Sequence, residues 1–349
     1  MRAMKTLQLL LLGLLLGLST ACTPRGGSSG DDDDDSAGDD DDSAGDDDDA
    51  TGDDDDATGD DDDATGDDDD TTAGGSAGCG LPATHSAGGV QVQIDAGDDG
   101  AGTRGFYLSI PSNYDPNTPH KLIVGYSGTN WVGSQVRGYL ALEDGQASDE
   151  IFVYPDPLWW SFPGWGELGG WLLGPHAYPA NGNQDLVLTE VILDYLESTY
   201  CIDVDRVFAT GHSWGGDMAA VVGCFLGDRF TASAPAAANR PYWFEPSGGS
   251  FEGCAGDAAI WTWFGQNDTH FTQQSYPGEY GDEQVAFWIG EKSCDGFKDN
   301  TTLSTGGTSE CVEYAGCASV NRYCLYGPDT GHQIPSYFSA ETIAWFRSF

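Results

Sequence analysis

The stretch VFATGHSWGG, Val207 to Gly216, is an apolar run that stops abruptly at a serine set among glycines. DRVFATG reads as a buried strand. WGGDMAAVVGCFLG, directly after the serine, has the spacing of a buried helix closed by Gly227. A strand that enters a helix through G-x-S-x-G is a tight turn, and Gly211 and Gly215 are needed where neighbouring backbone crowds it. Ser213 then projects near the positive end of the helix, where developing negative charge is favoured. The bland alternative is a structural turn with an idle serine, so the rest of the chain has to supply what a serine needs.

Strands and helices alternate around that turn. VQVQI and GFYLSIP read as an opening antiparallel pair, and HKLIVGYSG and EIFVYPD as further strands. DLVLTEVILDYLESTY spaces apolar residues at three and four and is a helix. RFTASAPAA and AAIWTWFG are strands; DEQVAFWIGEKSC and the terminal SYFSAETIAWFRSF are helices. This order predicts an α/β fold with a mainly parallel central sheet and helices on both faces. Sites in such sheets form at the carboxyl ends of strands. Four turns qualify: Ser127–Thr129, the chain from Asp156 onward, Gly211–Gly215 and Gly265–Asp268.

A serine hydroxyl is a weak nucleophile without a base. In an elbow of this kind the acid and then the histidine follow the serine along the chain. Only His270 and His332 follow it. His332, in the Gly-rich YGPDTGHQIP before the last helix, is the expected general base. Asp268, three residues past the glycine that ends AAIWTWFG, is its expected partner, ahead of Asp282, Asp295, Asp299 and Asp329. His270 lies too close to Asp268 in sequence to pair with it and is expected to line the substrate pocket. The oxyanion needs two main-chain donors, expected from Trp214 and Thr129.

The amino-terminal part is of a different kind. Arg2 and Lys5 precede LQLLLLGLLLGL, which is too short for a comfortable membrane span, and small residues then lead to Cys22. Residues 1–21 resemble a bacterial lipoprotein signal, with Cys22 as the lipid-bearing residue, although Ser19 stands where such boxes usually carry Leu. The expected location is the bacterial cell surface, on the outer membrane if the cell is Gram-negative; without lipidation the product is secreted. Residues 22–78 carry Asp blocks at a seven-residue period. Like charges repel and bury nothing, so this is an extended stalk of at most roughly 200 Å at about 3.5 Å per residue. Calcium loops place ligands at defined spacings around a turn glycine, unlike solid Asp blocks, so only weak calcium binding is expected of the stalk.

Residues 79–349 are enough for one large domain. They hold 32 acidic and 10 basic residues, a poor match for nucleic acid. Eight cysteines from Cys79 onward, behind an export signal and without a CxxC pair, predict disulfides and neither metal nor cofactor, with the pairing left open. A monomer is expected, touching membrane only through its lipid.

The domain resembles carbohydrate esterase family one, closest to feruloyl esterases and polyhydroxybutyrate-depolymerase-like esterases within the α/β-hydrolases. The segments that carry the likeness are RGFYLSIPSNYDPNTPHKLIVGYSG, IFVYPD, CIDVDRVFATGHSWGGDMA, GQND, EYAGCAS and TGHQIPSYFSAETIAWFRSF. The resemblance implies a serine esterase acting through an acyl-enzyme on feruloyl or acetyl esters of plant-wall polysaccharide. Its rivals are a polyester depolymerase and a non-catalytic polysaccharide-binding surface lipoprotein. Two features depart from the family. Ser127-Gly128 stands where many relatives have His-Gly, and residues 157–183 are long and rich in tryptophan. Trp159, Trp160, Trp165 and Trp171 are expected either to contact substrate or to pack a long surface loop.

Overall fold

The computed structural model describes residues 74–144, 149–244, 251–299, 310–327 and 330–349. The expected leader, Cys22, the Asp-rich stretch as far as residue 73, and Asp329 lie outside these. Residues 74–78, expected as the end of the stalk, pack with the domain. Gly75 bridges to Asp203, while Ser76 Oγ donates to the Tyr200 carbonyl and accepts from the Ile202 N–H.

The elements run β1 (Gly88–Asp95), β2 (Thr103–Ile110), β3 (His120–Tyr126), α1 (Gly133–Leu140), β4 (Ile151–Pro155), β5 (Leu158–Phe162), β6 (Gly166–Gly170) and α2 (Gln184–Thr199). They continue with β7 (Ile202–His212), α3 (Trp214–Phe225), β8 (Ala232–Ala236), β9 (Ala259–Gly265), α4 (Glu279–Glu291), β10 (Lys298–Asp299), β11 (Glu310–Tyr314), β12 (Asn321–Tyr326) and α5 (Phe338–Phe346). Ten strands form one sheet in the order β1-β2-β4-β3-β7-β8-β9-β12-β11-β10. Its centre, from β4 to β12, is parallel, and antiparallel strands finish both edges. This is the mainly parallel α/β sheet expected from the strand–helix alternation, and it fits the α/β-hydrolase fold that the resemblance implies.

Strand periodicity explains the two covered faces. Successive side chains point to opposite sides of a strand. Leu122 and Val124 of β3, with Val207 and Ala209 of β7, therefore join the core containing α2 and α3. Ile123 and Phe208 join the other, with Val136 of α1 and Phe346 of α5. Both faces are buried, so the central strands read as continuous apolar runs rather than alternating ones.

Two elements depart from expectation. Helix α1 carries only Val136 and Leu140 as buried apolar anchors among two glycines, too sparse a pattern to read as a helix. The tryptophan-rich stretch, expected as a long loop, holds the antiparallel β5–β6 hairpin. Its exposure alternates along Leu158–Phe162, and Gly164 and Gly166 turn the chain at positive φ.

Register decides where the strands end. Tyr126 pairs with Gly211, His212 with Ala236, Ala236 with Trp263, and Gly265 with Tyr326. The loops after β3, β7, β8, β9 and β12 therefore leave from one carboxyl edge.

Four disulfides join Cys79–Cys201, Cys224–Cys254, Cys294–Cys317 and Cys311–Cys324. The last links facing residues of β11 and β12. Among the described residues no helix is long and apolar enough to cross a membrane.

The Cys79–Cys201 bond spans 122 residues of chain, the longest separation of the four. Closing so long a loop removes much freedom from the unfolded chain. Replacing both cysteines by alanine should lower the unfolding free energy by about 2–5 kcal/mol, read from denaturant titration. An unchanged midpoint and slope would show that this bond contributes nothing.

Candidate active site

Ser213 sits between β7 and α3 as the N-cap of the helix, at φ 60° and ψ −125°. A non-glycine residue at positive φ is strained and needs surrounding structure to hold it. That structure is close at hand. A Cβ on Gly211 would run into the Gly215 carbonyl, and one on Gly215 into the Tyr126 carbonyl. The Ser213 N–H donates to Ala236 O at 3.0 Å, and its carbonyl accepts from the Asp217 N–H at 3.0 Å.

His332 reaches this serine from the loop after β12. Its Nε2 is 2.8 Å from Ser213 Oγ, and its Nδ1 is 2.8 Å from Asp268 Oδ2. Asp268 is fully buried at the end of β9 and also accepts the His270 backbone N–H at 3.0 Å. The Nδ1 contact to a carboxylate places the proton on Nδ1 and leaves Nε2 free to accept from the serine. The loop itself is pinned, because the Ile334 N–H donates to Tyr139 Oη and Tyr326 Oη donates to the Gln333 carbonyl.

Two further imidazoles flank His332. His270 stacks on it with centroids 4.0 Å apart and planes 11° apart, and His212 lies at 4.9 Å. Burial, then the neighbouring His332, pulls the pKa of His212 down to about 3. The same causes, in the same order, lower that of His270. His212 is therefore neutral at working pH, and His270 resists protonation.

The loop after β3 approaches the serine from the other side. A Cβ on Gly128 would stand 3.5 Å from Ser213 Cβ. Asn130 and Trp131 spend their N–H groups on Gly169 O and Gly128 O. Among the described residues no group accepts from the N–H of Thr129 or of Trp214. These are the two donors expected for an oxyanion. Ser127, the departure noted in the sequence, is fully buried and braces the loop: its Oγ donates to Trp131 O at 2.9 Å, and its carbonyl accepts from Trp171 Nε1 at 2.7 Å.

Two cavities meet at Ser213, Thr129 and His270. One, of about 490 Å³, is lined by Trp131, Tyr139, His212, His332 and Gln333. The other, of about 310 Å³, is lined by Trp165, Leu168, Trp214, Asp217, Tyr242 and Phe271. Of the four tryptophans expected at substrate, only Trp165 lines either of these two cavities. Trp171 is fully buried against Tyr126, so contact with substrate is ruled out for it. Trp160 packs against the core, and Trp159, 60% exposed, lies outside both cavities. Trp131, Tyr139, Tyr242 and Phe271 line the cavities without any local signal in the sequence. Asp217, by contrast, carries a signal in the sequence, as a carboxylate inside an otherwise apolar buried helix. Among the described residues no group of three or more His, Cys, Asp or Glu side chains could hold a metal ion.

No family model matches the chain. Feruloyl esterase C of Emericella nidulans is 26% identical over 263 residues, which cover 74% of this chain and 83% of that protein. A probable feruloyl esterase C of Aspergillus flavus is 32% identical over 160 residues, covering 44% of this chain and 49% of that protein. Among solved structures, an acetyl xylan esterase from Aspergillus awamori superimposes with a TM-score of 0.54 at 18% identity, covering 74% of this chain and 99% of that one.

With His212 held neutral and the pKa of His270 lowered, neither of these imidazoles adds a proton uptake to the acid side of the profile. The acid limb of log kcat/KM against pH should therefore have unit slope, activity falling as pH falls. A slope of two on any soluble ester would mean that a second histidine takes up a proton over the same range.

Proposed function

We propose that this chain, a carboxylic ester hydrolase of the α/β-hydrolase fold related to the feruloyl esterases, works through Ser213 as nucleophile on aromatic or acetyl esters of plant-wall polysaccharide. The observation that carries this reading is the continuous path Asp268–His332–Ser213, two contacts of 2.8 Å, beside two main-chain N–H groups that have no acceptor among the described residues. His332 takes the serine proton at Nε2 while Oγ attacks the ester carbon. Asp268 holds the ring in the required tautomer and stabilises the imidazolium that forms. The oxyanion is received by the N–H groups of Trp214 and Thr129. His332 then returns the proton to the leaving alcohol, and a water molecule repeats the sequence to release the acid.

Proton return sets the polarity of the site. The leaving oxygen has to lie within hydrogen-bond reach of His332. The cavity lined by His332 therefore takes the alcohol, the polysaccharide side. The cavity beside Trp214 takes the acyl group.

The likeness of residues 1–21 to a lipoprotein signal supports export and anchoring of the protein by lipid on Cys22. The Asp-rich stretch then serves as a solvated stalk carrying the esterase away from the membrane.

Ser213→Ala should lower kcat by about 10⁶ and His332→Ala by nearly as much, whereas Asp268→Ala should cost roughly 3 × 10⁴, because triad members act as one unit. These are read on methyl ferulate, p-nitrophenyl acetate and acetylated xylan. A Ser213→Ala variant that keeps a few percent of the rate would remove Ser213 from the mechanism. Cys22→Ser should move the full-length protein from the membrane fraction to the soluble one; continued sedimentation with membranes would contradict the lipid anchor.

A further inference from the structure

We infer that Asp217 recognises a hydroxyl on the aromatic ring of the acyl group, making the enzyme selective for phenolic over unsubstituted arylacyl esters. The inference rests on the serine-esterase reading above and assigns the acyl class of that same site. Asp217 lies one turn along α3 from the serine, its N–H bonded to the Ser213 carbonyl. Asp217 lines the acyl cavity yet is only 4% exposed. Among the described residues one hydrogen bond meets it, from the Asn239 N–H to Oδ1 at 2.6 Å, and its second oxygen has no partner. A carboxyl so buried and so thinly bonded is unfavourable in the empty site, and a ligand hydroxyl would supply the missing bond.

Size and wall chemistry narrow the ligand. Asp217 stands four residues beyond the serine, about 6 Å of rise along the axis of α3. A ring substituent reaches that depth and an acetyl group does not. The walls are the aromatic side chains of Trp165, Trp214, Tyr242 and Phe271, which suit a flat ring. Burial raises the pKa of Asp217 well above the usual carboxylate range, against the smaller opposing effect of the Asn239 N–H. A carboxyl that keeps its proton both donates and accepts, as a phenol does.

The test is the ratio of kcat/KM for methyl 4-hydroxycinnamate over methyl cinnamate in wild type, Asp217→Ala and Asp217→Asn. The expected ratio is about tenfold to a hundredfold in wild type. It should fall to near one in Asp217→Ala and be largely restored in Asp217→Asn, whose amide also donates and accepts. If the alanine variant folds poorly, Asp217→Leu carries the same expectation. A wild-type ratio near one, or a ratio that survives Asp217→Ala, overturns the inference and leaves the esterase reading standing. Hydrolysis of p-nitrophenyl acetate with neither cinnamate turned over would overturn both the inference and the aromatic-acyl reading. An inert enzyme on all three esters would overturn the serine-esterase reading itself.

Discussion

The backbone contact between the β7–α3 turn and the end of β3 is the constraint on which the rest of the site depends. Gly211 and Gly215 let the turn close against the Tyr126 and Gly215 carbonyls, with no room for a side chain at either place. The closure drives Ser213 to φ 60° and lifts its hydroxyl out of the sheet edge. It also brings the loop after β3 beside the serine, because Tyr126 and Gly211 are register partners. Ser213 and the loop that carries Thr129 are thus positioned by one contact, and a side chain at either glycine would disturb both.

The remaining parts are held by secondary contacts. The β5–β6 hairpin grips the site twice. Gly169 and Asn130 exchange hydrogen bonds between the hairpin and the loop that carries Thr129. Phe162 and Trp165 pack on the Trp214 ring, whose Nε1 donates to the Trp171 carbonyl. The hairpin and the chain just after it therefore brace the Thr129 loop and Trp214 from outside the sheet, and Trp171 is turned inward to do so. His332 is fixed by ring stacking on His270 and by the Tyr139 and Tyr326 contacts to its loop. On the proposed mechanism, preorganisation of this kind leaves little to rearrange when an oxyanion forms.

Much of this was legible in the sequence, for definable reasons. The turn glycines, the serine and the order of acid and histidine follow from local steric needs and chain direction, so Ser213, Asp268 and His332 stand out without a structure; their meeting within 2.8 Å is a tertiary fact. The central strands were legible as apolar runs because both of their faces are covered. Helix α1 was not, since two buried side chains among glycines make no periodic pattern. The tryptophans misled because composition marks a residue as aromatic without saying which way it faces: Trp165 turns to the cavity, while Trp171 turns to Tyr126. Disulfide partners were open for a similar reason, as Cys79 and Cys201 are brought together only by the whole fold.

The central claim is that Ser213, raised on this turn and activated by His332, is the nucleophile. Its most direct measurement is to treat the enzyme with an alkyl fluorophosphonate, follow loss of esterase activity and locate the adduct by peptide mass mapping. The account predicts one phosphonyl group per chain on Ser213, with inactivation proportional to labelling and slowed by ester substrate. Complete inactivation with the adduct on another residue, or stoichiometric labelling of Ser213 with full activity retained, would contradict it.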